Sequence, residues 1–271
     1  MFKIFIRFFS AVLTLLFVTS LTLTHAQTNA NNKMKIKLGV TGGPHEEIAE
    51  VVKQVAAKEG LEIKLVSFSD FTLPNAALSA GDLDANSFQH QPYLDQQVKD
   101  KKYQIVSIAK NFIFPIGIYS NRIKHLNELK EKSTIAIPND PTNGGRALLL
   151  LQREKIITLK PNTGFTPMPF DIQYNPKKIK FIEVDAARIT KMLSDVDAAA
   201  INTDYAVLSN MNPEKDALVR EAFDNPYANV IAVNKKDVEA PWVKKLIQAY
   251  QSQAVKDFLE KKYKGQLIPA F

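Results

Sequence analysis

The sequence predicts an α/β protein folded as two lobes. Three observations carry that expectation. The chain opens strand–helix–strand, apolar strands then alternate with helices to the far end, and the βα-rich segments fall into two halves with no repeat of ~20–50 residues. With 271 residues, 45% hydrophobic and 23% charged, the chain has the size and composition of a globular protein with one or two cores.

In order along the chain, residues 35–40 alternate and read as a strand. The turn 41–44 follows. Residues 45–58 place Ile48, Val51, Val52 and Val55 at helical spacing, Gly60 ends that helix, and 61–68 is a second strand. This βαβ opening predicts a parallel sheet. Residues 73–79 read as a short helix stopped by Gly81, and 86–99 as another helix. Residues 103–109 and 112–119 read as strands, 125–130 as a short helix, 134–137 as a buried strand and 146–154 as a strongly apolar helix. Beyond them come a strand at 180–184, a helix at 187–195, a small-residue strand at 198–201, a strand at 229–233, and helices at 243–250 and 254–263. The chain is expected to cross between lobes near 114–119 and to return near 225–229.

The first 26 residues read as an export signal. Lys3 and Arg7 precede an apolar run from Ala11 to Leu23, and Thr24-His25-Ala26 offers small residues for cleavage after Ala26. Residues 27–33 read as a flexible leader. The expected product is a soluble periplasmic protein. The formal charge of +7 is scattered among acids and reads as solvated surface, not a nucleic-acid site.

Composition excludes several chemistries. With no cysteine there are no disulfides, thiolate metal sites, cysteine nucleophiles or cysteine-linked lipids. The chain has neither GxSxG nor GxxxxGK[ST]. His45, His90 and His125 lie too far apart for helical zinc pairs. Asp82-x-Asp84-x-Asn86 starts like a calcium loop, but Ser87 and Tyr93 stand where Gly and Glu are needed. The segment reads instead as an acidic turn capping the next helix. No cofactor and no metal are expected.

Three segments carry candidate binding chemistry. The loop from Pro138 to Arg146 follows a strand and opens a helix, the place where open α/β sheets take ligands. Thr142 and Asn143 can cap that helix, and Arg146 can grip a carboxylate in a fork. The plainer alternative is a capped helix with Arg146 on the surface. Phe68, Phe71, Phe88, His90 and Tyr93 sit in two loop-like stretches. They are either an apolar pocket wall with a polar edge or ordinary core. Asn202 ends the 198–201 strand, and Asn225 and Asn229 sit where the chain returns. Such amides suit a zwitterion, or else serve as turns and caps.

Together these segments resemble the MetQ/NlpA family of methionine-binding substrate-binding proteins. The resemblance is carried by SFSDFTLPNAALSAGDLDANSFQHQPYLDQQ at 67–97, IPNDPTNGGRALLLLQ at 137–152, INTDYA at 201–206 and NPYANVIAV at 225–233. It implies a two-lobed periplasmic-binding-protein fold with the ligand in the interlobe cleft. One lobe would comprise 34–116 plus 228–271 and the other 117–227. It also implies capture of methionine, with the choice between the L and D forms left open, for an ABC permease and its ATPase, by a monomer without enzymatic activity.

By motif match, Arg146 pairs with the ligand carboxylate and Asn202 and Asn229 hold the head group. Phe71, Phe88, His90 and Tyr93 surround the thioether. The chain departs from the family by lacking the lipobox cysteine, which implies a freely diffusing protein. It also has Phe71 and Phe114 where Tyr is common, which bears on ligand preference. The alternatives are a methionine-containing dipeptide or another amphipathic amino acid as cargo. A remoter one is an exported hydrolase using His90 with Asp82 or Asp84.

Overall fold

The structure, a computed structural model, describes residues 34–271. The segments read as export signal (1–26) and leader (27–33) lie outside the described residues.

The first strand, β1 (Met34–Thr41), leads into α1 (Pro44–Lys58) and β2 (Leu61–Phe68). Then come α2 (Leu73–Ala80), β3 (Ala85–His90), α3 (Gln91–Lys101) and β4 (Ile105–Ile113). The chain next builds β5 (Gly117–Tyr119), β6 (Thr134–Pro138), α4 (Pro141–Arg153), β7 (Thr158–Leu159), β8 (Ile172–Tyr174) and β9 (Lys180–Val184). It continues through β10 (Ala198–Ile201), α5 (Thr203–Leu208) and β11 (Val219–Arg220). The last elements are β12 (Ala228–Asn234), α6 (Pro241–Tyr250), α7 (Gln253–Tyr263) and β13 (Ile268–Pro269).

Two sheets organise these elements. The first has strand order β13-β4-β12-β3-β1-β2 and the second β11-β5-β10-β6-β9, while β7 and β8 form a separate pair. Neither main sheet is wholly parallel, which corrects the expectation from the βαβ opening. β1 runs parallel to β2 and β3, and β6 parallel to β9 and β10. β12 is antiparallel to both its neighbours, and β5 is antiparallel to β10 and β11. The crossings explain this. The chain leaves the first sheet after β4 and re-enters it only at β12, so the strands at the crossing points do not follow the right-handed βαβ path that enforces parallel pairing.

Each sheet has its own core. Leu38, Val40, Ile48, Val52, Leu61, Ile231 and Leu246 pack between the first sheet and α1, α6 and α7. Ile118, Ile135, Ile137, Leu148 and Leu151 pack between the second sheet and α4.

Residues 85–90 differ from expectation. They form β3, entirely buried, where a helix over 86–99 was expected. The polar side chains that hid the strand are satisfied internally. Asn75 and Gln89 exchange two 2.7 Å hydrogen bonds through their amides, and Asn86 donates to Asn75 at 2.9 Å. The buried amides therefore carry no unmet desolvation cost. Asp84 accordingly caps no helix; its carboxylate accepts the Lys37 backbone N–H at 2.7 Å. Elsewhere, residues 125–130 and 187–195 contain 3₁₀ turns (Leu126–Glu128 and Ala186–Met192) in place of α-helix.

Candidate functional site

The loop after β6 is set by Asp140, not by Thr142 or Asn143 as expected. Asp140 is the N-cap of α4: its carboxylate accepts the Asn143 N–H at 2.8 Å and the Thr142 hydroxyl at 2.9 Å. It also accepts the Asn143 side-chain amide at 3.0 Å. Burial raises the Asp140 pKa, opposed by these bonds from Asn143 and Thr142. Gly144 and Gly145 are required by close approach. A Cβ on Gly144 would lie 2.6 Å from the Pro138 carbonyl oxygen, and one on Gly145 would lie 2.7 Å from that of Phe165.

Capping by Asp140 fixes a chain of polar contacts. With the Asn143 NH₂ committed to Asp140, its Oδ1 faces the site as an acceptor. There it accepts the Asn202 amide at 2.9 Å and meets His90 Nε2 at 3.2 Å. His90 Nδ1 accepts the Tyr93 N–H at 3.1 Å, so the ring proton sits on Nε2 and donates to Asn143. Burial, and secondarily the Arg146 charge, lowers the His90 pKa to about 3, which keeps the imidazole neutral. Because His90 ends β3 and Asn143 opens α4, this contact joins the two lobes directly.

Arg146 is buried, not on the surface. Its Nε lies 2.9 Å from Glu221 Oε1, and one Nη lies 2.6 Å from Glu221 Oε2 and 2.7 Å from the Phe114 carbonyl. Tyr227 lies under the guanidinium, 4.3 Å from ring centroid to Cζ. Glu221 also accepts the Ile116 N–H at 3.0 Å. One fork thus ties together both crossings, 114–116 and 221–227. Among the described residues the other guanidinium nitrogen, Nη1, has no hydrogen bond.

The aromatic side is equally pre-set. Asp70 accepts the Thr72 N–H and hydroxyl and so turns the chain after β2, presenting Phe71. The Tyr93 hydroxyl donates to the Phe71 carbonyl at 2.9 Å. Phe71, Phe88 and Tyr93 stand with ring centroids 6.0–6.3 Å apart in tilted and edge-on contact. Asn229 on β12 is paired in register with His90 on β3, so the two share a face.

Eight of the residues singled out from the sequence (Phe71, Phe88, His90, Tyr93, Asn143, Arg146, Asn202 and Asn229) line one cavity between the lobes, whereas Phe68, Thr142 and Asn225 do not. Phe114, Gln89, Thr203 and Asp204 complete the lining. Sequence reasoning missed Asp204, Glu221 and Tyr227. All three lay inside segments already singled out or next to them, but nothing in the spacing showed that they face the cavity or Arg146.

Two α/β lobes joined by two crossings, with a polar and aromatic cavity between them, define a two-lobed substrate-binding protein. Residues 36–271 match the family model described as NlpA lipoprotein. The chain is 45% identical to the D-methionine-binding lipoprotein MetQ of Salmonella typhimurium over 254 residues, 93% of this chain and 94% of that one. It is 44% identical to the protein of the same name in Escherichia coli, with the same coverage. Among solved structures, it superposes on a nutrient binding protein from Burkholderia cenocepacia bound to methionine with a TM-score of 0.86. That pair shares 52% identity over 87% of this chain and 100% of the other. The chain belongs to the NlpA lipoprotein family.

Proposed function

We propose that this protein captures methionine outside the cytoplasm and delivers it to an ABC importer, without catalysing a reaction. One observation carries this reading: one cavity sets the guanidinium of Arg146 and the unpaired amide oxygen of Asn202 against an aromatic wall. Arg146 Nη1 would meet the ligand carboxylate. Asn202 and Asn229 would hold the head group, with Asn143 positioning Asn202. Phe71, Phe88, His90 and Tyr93 would enclose the thioether, a good match for sulfur against ring edges. The methionine-bound Burkholderia relative and the MetQ relatives support the choice of cargo.

The lobes would be 34–116 plus 228–271 and 117–227, closing on the ligand about the two crossings. Closure follows from contacts made by both lobes, since a ligand shifts the equilibrium only through its preference for the closed state. The partners would be a membrane permease and its ATPase, and the protein would act as a monomer. The sequence holds no cysteine, so a diacylglyceryl group has no acceptor in these 271 residues. We therefore place the protein free in the periplasm, unlike its lipoprotein relatives. No helix among the described residues is long and apolar enough to cross a membrane.

A ligand-stabilisation screen tests the reading. At a concentration 100-fold above Kd, a ligand specific for the native state adds about 2.7 kcal/mol. L-methionine should raise the melting temperature more than other amino acids or methionine dipeptides do. A larger rise with glycyl-methionine would move the cargo to dipeptides, and steady turnover of ester or peptide substrates would contradict the non-enzymatic reading.

A further inference from the structure

Residues 153–180 concentrate charge and exposed apolar surface that the cavity does not use. The segment runs from the end of α4 through β7 and β8 to the start of β9. It carries six cations (Arg153, Lys155, Lys160, Lys177, Lys178, Lys180) and two acids (Glu154, Asp171). That is a net +4 in 28 residues of a chain whose whole formal charge is +7. Both acids are engaged locally. Glu154 pairs with Arg153 at 2.9 Å; Asp171 accepts the Met168 N–H at 3.0 Å and lies 3.8 Å from Lys160. All of the cations except Lys177 are exposed.

The same segment presents the two most exposed large apolar side chains among the described residues, Phe170 at 69% and Tyr174 at 62%. Met168 beside them is exposed as well. The β7–β8 pair explains how they stay outside. Leu159 is buried in the core of the second sheet with Ile172 packed against it, which anchors the pair. Phe170 and Tyr174, two residues to either side of Ile172, are left in the open. Lys160 extends the pair: its N–H donates to the Asp171 carbonyl at 2.8 Å and its ammonium to the Phe170 carbonyl at 2.9 Å. That ammonium lies 5.8 Å from the centroid of the Phe170 ring. None of these residues lines the cavity between the lobes.

Single exposed rings are ordinary, but three apolar side chains within seven residues, set among cations, mark a contact surface. Rings interleaved with lysines suit a bilayer: the rings settle at the headgroup level, and the ammonium groups gain from anionic headgroups. We infer that residues 153–180 form a peripheral membrane-binding surface that rests on an anionic bilayer, with Phe170 and Tyr174 in the interface and the lysines along it. The charge favours a bilayer over a protein partner. It is carried by five flexible lysines and one arginine, which suits a field of phosphates better than the fixed geometry of a protein groove. Among the described residues no helix is long and apolar enough to cross a membrane, so the contact is reversible. The inference does not depend on the cargo.

The test is vesicle flotation. Phosphatidylglycerol and phosphatidylethanolamine in equal parts make the anionic vesicles, and phosphatidylcholine makes the neutral ones. Wild type should partition at least about tenfold more strongly onto the anionic vesicles, since each lysine at such a surface contributes about fivefold. That preference should collapse at about 1 M salt, where the screening length falls to about 3 Å. Changing Lys155, Lys178 and Lys180 together to Gln should weaken anionic binding at least about tenfold. Phe170→Ser combined with Tyr174→Ser should do the same by removing the rings from the interface, with Tm within a few degrees of wild type. Phe170→Trp reads the contact in a protein that keeps its rings. Its emission should shift to the blue on anionic vesicles, whereas that of wild type, from Trp242 on α6, should not.

Wild type that ignores anionic vesicles, or binds neutral ones equally, overturns the inference. Anionic binding undiminished by the Phe170 and Tyr174 changes also overturns it, as does an unshifted Phe170→Trp emission. If the same changes abolish capture by permease-containing membranes but not by protein-free vesicles, the face belongs to a protein partner and the inference fails.

Discussion

Replacing Arg146 with alanine should cost stability as well as binding. The guanidinium is 2% exposed and Glu221 is 8% exposed, so truncation strands a carboxylate in the interior. Breaking a buried ion pair from one side costs about 3–5 kcal/mol. The geometry here favours the upper part of that range: Arg146 makes two-point contact with Glu221 and also satisfies the Phe114 carbonyl. Folded domains have only about 5–15 kcal/mol in hand. For a chain of this size each kcal/mol moves Tm by about 2–4 °C, so Arg146→Ala should melt roughly 6–20 °C below wild type. The assay is urea unfolding followed by far-ultraviolet circular dichroism, with ligand stripped beforehand. Adding Glu221→Gln should recover at least about 1 kcal/mol, because it removes the stranded charge and keeps an acceptor for the Ile116 N–H. A single variant within about 1 kcal/mol of wild type, or a double variant no better than the single, would refute the idea that this fork braces both crossings.

Other consequences concern pH, packing and the polar chain. Burial lowers His45 and His90 to about 3, so the stability each contributes is complete above the unfolded value of 6.5 and is lost as pH falls. Asp204 has the opposite sign. Its folded value of about 8 lies above the unfolded 3.8, so its contribution is present at low pH and lost as pH rises through that window. The advantage of Asp204→Asn over wild type in urea titrations should therefore grow by about 1.4 kcal/mol per unit between pH 5 and 7; parallel pH profiles would contradict this. Gly144→Ala should destabilise by about 1–3 kcal/mol in the same assay, because its Cβ meets the Pro138 carbonyl at 2.6 Å and backbone must shift. Asn143→Ala should weaken methionine binding at least tenfold by releasing both His90 and Asn202, whereas unchanged affinity in calorimetry would remove it from the site.

How much of this was visible in the sequence depended on the range of the interactions. Apolar periodicity located the strands at 35–40, 61–68, 134–137 and 198–201 because each packs against its own local helix. It misread 85–90 because that strand buries Asn86 and Gln89, whose partner Asn75 lies on α2, and Ser87, whose hydroxyl accepts from Asn111 on β4. Only the tertiary fold shows that those amides are satisfied. The two-residue strands β7, β11 and β13 are too short to show any period, and six-residue α5 was missed for the same reason.

The site divided in the same way. The eight residues sit in motif-bearing segments, and the structure brings them round one cavity. What spacing could not show was which groups already have partners. Arg146 read equally well as a surface residue until Glu221, 75 positions away, closed on it. Asp204 looked like an ordinary residue in the first turn of a helix; only the fold sets it against His45, 3.7 Å away.

Whether the cavity between the lobes is a methionine site is decided by calorimetric titration of L-methionine into protein that has been unfolded, freed of carried-over ligand and refolded. Saturable one-to-one binding is expected, with Kd at or below about 1 μM, equivalent to −8.2 kcal/mol or better. No heat and no competition from a protein shown to be folded would contradict the assignment of methionine to this cavity.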